Sequence, residues 1–217
     1  MPERYQQNDE SQMEFKKQYH MGIKRTIKWS SLILISTIFL YLLYFFTPYL
    51  ITSKDKLYDQ GVLEMKQGID YDVIKDEHLL KAVINFRVAM FKGYKERTIF
   101  INTYWCYKRL GNHWYSSIET VLTKGLQYYP KDIEFYFRRA DARAELKEFN
   151  RALLDYDKVI SLDKGRKYEY ITEAFYERGA VRYILDDQNG AKKDFIMSQK
   201  ISSYQFREYQ DYCKKWE

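Results

Sequence analysis

The sequence predicts an all-α protein: an N-terminal single transmembrane helix, then an α-solenoid of about four helical hairpins and a capping helix. Three observations predict this fold class. The run from Trp29 to Ser53 holds no charged residue. The rest of the chain reads as successive amphipathic stretches without a convincing strand pattern, and the whole sequence has only 9 Gly and 3 Pro. Within those stretches, a stripe of small and large apolar side chains recurs four times, beginning at Ala82, Ile118, Ala152 and Ala191.

The apolar run is long enough to cross a membrane. From Leu32 to Ile51 it has 20 residues, which as a helix rise about 30 Å, the thickness of a hydrocarbon core. Trp29 and Tyr49 suit the two interfacial belts. A cleaved signal peptide has a shorter apolar region and a small-residue cleavage site, and a buried core helix is rarely apolar all round for this length. We therefore expect a single-pass membrane helix over residues 29–53.

Basic residues on the two flanks predict the orientation of this helix, because Lys and Arg resist translocation. Five of them lie between Glu14 and Lys28, before the apolar run, and three lie between Lys54 and Gly68, after it. We expect residues 1–28 to form a mobile polar and basic tail in the cytoplasm, and residues 54–217 to form the folded domain. In a bacterium, this arrangement is an inner-membrane protein with a periplasmic domain. The basic residues are Lys16, Lys17, Lys24, Arg25 and Lys28 before the helix, and Lys54, Lys56 and Lys66 after it.

The repeated stripe is clearest at Ala152, Tyr156 and Val159, which lie at i, i+4 and i+7 on one helix face. A preceding helix carries Ala140 twelve residues earlier, and Gly179 precedes the next copy by the same distance. Two antiparallel helices approach closely only where a side chain is nearly absent. The expected packing residues of the repeats are Gly61, Ala82, Phe86, Ala89, Ile118, Leu122, Gly125, Ala140, Ala152, Tyr156, Gly179, Ala191 and Phe195.

These residues make the chain resemble the tetratricopeptide-repeat (TPR) family. The likeness is best in Tyr136–Asp163 and good in Phe175–Ile201. It is weaker in Leu57–Met90, where about nine extra residues separate the two helices, and in Tyr104–Pro130, where Ile118 replaces a small residue. A final helix over residues 204–217 is expected to close the stack, with Arg207, Glu208, Lys214 and Lys215 on its outward face.

The sequence offers no constellation for catalysis, so we expect neither an enzyme nor a cofactor. The histidines, His20, His78 and His113, are not at metal-ligand spacing, and Gly-rich phosphate loops and nucleophile elbows are missing from the sequence. Cys106 lies among aromatic residues and is interpreted as a core thiol, because it has no histidine one helical turn away. The 36 basic and 30 acidic residues are interspersed, which excludes the one-sided basic stripe of a nucleic-acid-binding protein.

The resemblance implies that the first helix of each repeat lines a groove for a protein segment. The mixture of acidic and aromatic residues there favours a partner segment with basic and apolar character. The family's clamp for an acidic C-terminal carboxylate needs Lys and Asn where this chain has Phe137 and Asp141, so a chaperone-tail adaptor is not expected. The predicted groove residues are Glu134, Phe137, Arg138, Asp141 and Glu145 in the third repeat, and Tyr176, Ala180 and Tyr183 in the fourth.

The leading functional hypothesis is a membrane-tethered scaffold for protein–protein interaction, serving an envelope, secretion or assembly complex. One alternative is an accessory enzyme or metal-handling protein that uses the acidic insert of residues 68–78. Another alternative is a structural subunit of a membrane machine, although the apolar run has no clear GxxxG stripe. The acidic insert contains Asp70, Asp72, Asp76, Glu77 and His78.

Overall fold

The computed structural model describes residues 32, 34–69, 75–202 and 206–216. The chain divides into two compact parts, Met1–Thr52 and Ser53–Glu217. All regular secondary structure in the described ranges is helical, apart from one isolated bridge residue, Ile69.

In the first part, helix α1 runs over Leu34–Ile51 and is long and apolar enough to cross a membrane, judged by length and composition. None of the residues in this stretch is buried within the protein. The hydroxyls of Thr37 and Thr47 donate to the carbonyls of Leu34 and Leu43 on the same helix. These bonds satisfy the two threonine hydroxyls within the helix itself.

The second part, Ser53–Glu217, consists of four helical hairpins, called units 1 to 4, and a short C-terminal segment. Each helix packs chiefly against the helix before it and the helix after it, which is the arrangement of a solenoid. The hairpins are α2 Lys54–Gly68 with α3 Asp76–Phe91, α4 Arg97–Leu110 with α5 Tyr115–Tyr128, α6 Ile133–Glu145 with α7 Phe149–Leu162, and α8 Ile171–Ile184 with α9 Gln188–Ile201; α10 Tyr209–Tyr212 and a 3₁₀ turn Cys213–Trp216 follow.

Side-chain caps begin several of these helices. Ser53 accepts a hydrogen bond from the backbone N–H of Lys56 at the start of α2, at 3.2 Å. Asp132 caps α6 at 3.0 Å and Asp187 caps α9 at 2.9 Å in the same way. A cap of this kind satisfies one of the free N–H groups of the first turn, and an acidic cap also suits the positive end of the helix dipole.

Small residues allow the paired helices to approach. A Cβ atom on Gly61 would lie 2.6 Å from Cε1 of Phe86, and one on Gly125 would lie 2.8 Å from Cε2 of Phe135. The other predicted packing residues of the repeats are buried, except Phe195, which is partly buried. The hairpin turns of units 3 and 4 match as well, because Lys147 (φ 59°) and Asp186 (φ 64°) occupy the left-handed region at equivalent positions of the two turns.

A buried ion cluster ties the two helices of unit 3 together. Asp155 on α7 accepts hydrogen bonds from Nε of Arg139 at 2.8 Å, from Nη2 of Arg139 at 2.7 Å and from Nη1 of Arg143 at 2.7 Å. Arg143 also donates to Glu119 on α5, so the cluster reaches unit 2. Two carboxylates spaced as Asp155 and Asp157 lie on different faces of a helix, and the sequence predicts that both are solvated. This prediction was wrong for Asp155, whose side chain is only 4% exposed.

Unit 4 repeats the cluster at the equivalent positions of its own hairpin. Asp194 on α9 is held by Arg178 and Arg182 on α8, with contacts of 2.9 Å and 2.8 Å. Arg178 also contacts Asp157 of unit 3 at 2.7 Å. Each cluster therefore locks one hairpin and joins it to the preceding unit.

Candidate partner-binding groove

The predicted groove residues lie on the first helices of units 3 and 4, α6 and α8. We call the surface formed by them and by α4 of unit 2 the groove face. The structure buries Phe137, Tyr176 and Ala180 against the chain's own residues. The others are partly exposed: Glu134, Arg138, Asp141, Glu145 and Tyr183.

Arg138 lies in an aromatic cluster at the centre of the groove face. Its guanidinium carbon is 4.5 Å from the ring centre of Tyr170 and 5.3 to 5.4 Å from those of Tyr104, Trp105 and Phe137. Cation–π contacts of this kind stabilise a partly desolvated charge. Trp105 remains 38% exposed, so the cluster presents an aromatic surface next to a cation.

The polar groups around this cluster are incompletely paired. Nε of Arg138 and the hydroxyl of Tyr168 are buried without a hydrogen-bond partner among the residues that the structure describes. The closest recorded carboxylate approach to Arg138 is Glu134 at 3.8 Å, and Glu134 is itself held by Arg97 at 2.7 Å. Burial tends to lower the pKa of Arg138, but the neighbouring Tyr104 and Asp141 raise it above its usual value. The group is therefore a permanent cation.

Two partly buried carboxyls form an acidic centre between α6 and α8. Asp141 accepts a hydrogen bond from the hydroxyl of Tyr156 at 2.8 Å, and Glu177 accepts one from the hydroxyl of Tyr212. Burial raises the pKa of Asp141 to about 6, and burial together with the charge of Asp141 raises that of Glu177 to about 7. They line a cavity of about 180 Å³, which Lys215 also lines.

The C-terminal segment, residues 206–216, lies against this acidic centre. Nζ of Lys215 is 3.2 Å from Oε1 of Glu145, and Sγ of Cys213 is 3.6 Å from the carbonyl oxygen of Ala180. The ring of Trp216 meets that of Phe149 edge to face at 5.6 Å. Lys215 was expected to face outward; it is exposed, and it also pairs with Glu145 on the groove face. Residues 204, 205 and 217 of the expected helix lie outside the described ranges.

A larger cavity, of about 560 Å³, lies between α8 and the C-terminal segment. Its lining includes the carboxyls of Glu173 and Glu177 and the rings of Tyr176, Phe206 and Tyr212. Oε2 of Glu173 is buried without a hydrogen-bond partner in the described residues. The groove face at this end is thus acidic and aromatic.

Both cysteines lie in buried surroundings that are typical of core residues. Cys106 is fully buried, and this burial raises the pKa of its thiol to about 12. A thiol with such a pKa is almost entirely protonated at neutral pH and is a poor nucleophile. Cys213 is buried as well, and the two cysteines are not bonded to each other.

The acidic insert is only partly described. Asp70 and Asp72 lie outside the described residues. Glu77 pairs with Lys81 at 2.7 Å, and Nδ1 of His78 lies 2.6 Å from Oε2 of Glu64. Across residues 34–69, 75–202 and 206–216, no group of three or more His, Cys, Asp or Glu side chains is placed to hold a metal ion.

No family model matches the sequence, and no curated protein matches it. Solved structures do match. MamA from Desulfovibrio magneticus RS-1, from residue 41 to its end, is 15% identical with a TM-score of 0.54, covering 69% of this chain and 75% of that one. The fold is that of a tetratricopeptide-repeat solenoid.

Two further structures support this. YrrB, described as a TPR protein with an unusual peptide-binding site, is 18% identical with a TM-score of 0.51 over 64% of this chain and 67% of that one. A tetratricopeptide repeat protein from Parabacteroides merdae is 21% identical with a TM-score of 0.55, over 69% of this chain and 55% of that one. These likenesses confirm the predicted all-α solenoid.

Sequence reasoning missed several residues of the site. The ion clusters were detectable, because Arg139, Arg143 and Asp155 recur as Arg178, Arg182 and Asp194 at the spacing that separates units 3 and 4. The aromatic residues around Arg138 come from three separate stretches of the chain, and their spacing gives no signal. The residues that were missed are Tyr104, Trp105, Tyr170, Glu173 and Glu177 at the groove face, and Tyr212, Lys215 and Trp216 in the C-terminal segment that lies against it.

Proposed function

We propose that this chain is a non-catalytic scaffold, anchored in a membrane by α1, that binds a segment of a partner protein on its groove face. The observation that carries the proposal is the exposed aromatic surface of Trp105 beside the Arg138 cluster, on the inner helices of a solenoid. Aromatic and arginine residues dominate the energetic centres of protein interfaces. YrrB, a structure with the same fold, is described as having a peptide-binding site.

The apolar helix α1 supports the part of the proposal that concerns the membrane. The side chains of α1 are apolar and exposed, and a surface of this size in water is unfavourable unless something covers it. A bilayer is the surrounding that its length fits. We propose that α1 spans the inner membrane, with the N-terminus in the cytoplasm and the solenoid in the periplasm, where it recruits a component of an envelope or secretion assembly.

A photo-cross-linking residue tests the binding surface directly. p-Benzoylphenylalanine replaces Trp105 on the groove face or, as a control, Leu154 on α7, which is 69% exposed. After irradiation of intact cells, we expect a cross-linked protein from position 105 and none from position 154. Equal cross-linking at both positions, or cross-linking at position 154 alone, would contradict a groove-face interaction.

The topology is tested with a single introduced cysteine. Both native thiols are buried, so Asn150→Cys, at an exposed position of α7, provides the reactive thiol. A membrane-impermeant maleimide should label it in cells whose outer membrane is permeabilised and whose inner membrane is intact. Labelling only after the inner membrane is opened would reverse the proposed orientation.

A further inference from the structure

The chain's own C-terminal segment covers part of the predicted groove. Of the eight predicted groove residues, four contact it: Glu145, Tyr176, Ala180 and Tyr183. The ring of Tyr176 stacks on that of Phe206 at 4.3 Å. The ring of Tyr183 lies 6.0 Å from that of Tyr209. The segment therefore occupies the place in units 3 and 4 where a partner segment is expected.

The segment also has the chemistry that the groove residues favour. Its Lys215 ammonium lies 4.2 Å from the ring centre of Tyr212 and 4.3 Å from that of Trp216. The same ammonium reaches the Glu145 carboxylate at 3.2 Å. A lysine flanked by aromatic rings thus meets an acidic face, which is both charge complementarity and cation–π stabilisation.

The fit of the segment is imperfect. The Tyr209 hydroxyl and the Trp216 indole N–H are buried without a hydrogen-bond partner among the described residues. Buried polar groups without partners cost free energy that a better-matched ligand avoids. The only α-helix in the described part of the segment is the four-residue α10, and short elements of this kind open locally more easily than a packed hairpin.

We infer that the C-terminal segment is an internal occupant of a docking site on units 3 and 4. The partner segment that replaces it carries a lysine or arginine next to aromatic residues. This inference rests on the proposed function, because it takes the groove face as the binding surface. An attached segment competes at an effective concentration on the order of millimolar, and it lowers the apparent affinity by the fraction of chains whose site is open.

Binding of the segment in trans tests the inference. The probe is a fluorescein-labelled peptide of residues 206–216 with serine in place of Cys213, added to the full chain in detergent micelles and followed by anisotropy. Lys215→Glu in the chain sets a like charge against Glu145 and weakens the internal contact. We expect this chain to bind the peptide at least tenfold more tightly than the parent. A peptide with norleucine at the position of Lys215 should bind the same chain about tenfold less tightly.

The neighbouring lysine provides a matched control. Lys214 is 63% exposed and pairs with Asp211 inside the segment at 2.8 Å. Lys214→Glu makes the same charge change without touching Glu145, so this chain should bind the peptide as weakly as the parent does. Trp216→Ala opens the site through lost packing on Phe149 and should also strengthen peptide binding, which guards against an effect peculiar to one variant.

The inference is overturned if neither Lys215→Glu nor Trp216→Ala binds the peptide more tightly than the parent, or if Lys214→Glu does so equally. The cross-linking at Trp105 separates this result from a failure of the proposed function. Persistent cross-linking with no gain in peptide binding means that a partner binds but does not compete with the segment. A gain in peptide binding without cross-linking at Trp105 means that the internal occupant is real but the proposed groove-face partner is not.

Discussion

The ion cluster of unit 3 gives the sharpest test of what holds the solenoid together. Asp155→Asn keeps the shape of the side chain and removes its charge, which leaves two arginines without their shared counter-ion. The side chains of Arg139 and Arg143 are 12% and 9% exposed, so water compensates them poorly. Removing one partner of a buried ion pair costs about 3 to 5 kcal/mol. Because Arg143 keeps Glu119, we expect the lower end, about 3 kcal/mol.

The assays are urea unfolding and thermal unfolding of the full chain in detergent micelles, both followed by circular dichroism. For a unit of this size, a loss of about 3 kcal/mol corresponds to a drop in melting temperature of about 6 to 12 °C. The control is Asp157→Asn on the same helix, whose side chain is 51% exposed and pairs with Arg178 at 2.7 Å. An exposed pair contributes about 0 to 1 kcal/mol. Equal losses for Asp155→Asn and Asp157→Asn would refute the structural role of the cluster.

Three further changes have defined outcomes. Gly61→Ala forces a Cβ to within 2.6 Å of the Phe86 ring and should cost about 1 to 3 kcal/mol of unfolding free energy in the same urea assay. As a control, a Cβ on Gly165 would lie 3.6 Å from the Lys167 side chain, an ordinary contact distance. Gly165→Ala should therefore change stability by less than about 1 kcal/mol. Glu177→Gln should become more stable relative to the parent as the pH rises from 5 to 8. Burial raises the pKa of Glu177 to about 7, so the folded parent holds a proton that the unfolded chain releases, and the parent loses stability as the pH rises through that pKa. Parallel pH profiles of stability for the two proteins would contradict this. Asp186→Gly relieves a non-glycine residue at φ 64° and should raise stability by about 0.5 to 1 kcal/mol, so a lower melting temperature would count against strain at this turn.

The repeated part of the fold was predictable because it depends on spacing. Ala152 and Ala191 mark the same position of two hairpins, and helical periodicity places both on the face that packs against the preceding helix. Local pattern and tertiary contact coincide here, since each helix meets the next one along the chain. The all-α solenoid was accordingly confirmed by the likeness to solved TPR structures.

The candidate site was less predictable, because its character depends on contacts between distant residues. Arg138 was expected near the groove, but its aromatic surroundings come from α4, α6 and the stretch before α8. Lys215 was expected to face outward and is exposed, but its ion pair with Glu145, far away in the sequence at the end of α6, has no signal in the local charge pattern. Periodicity identifies which face of a helix is apolar, but it does not show which side chain from elsewhere covers that face.

Hydrogen–deuterium exchange of the full chain, with and without the protein cross-linked at Trp105, measures most directly where the scaffold binds. We expect slower exchange in the groove-face helices α4, α6 and α8 and faster exchange in residues 206–216 when that protein is bound. Protection confined to the second helices α5, α7 and α9, with unchanged exchange in residues 206–216, would contradict it.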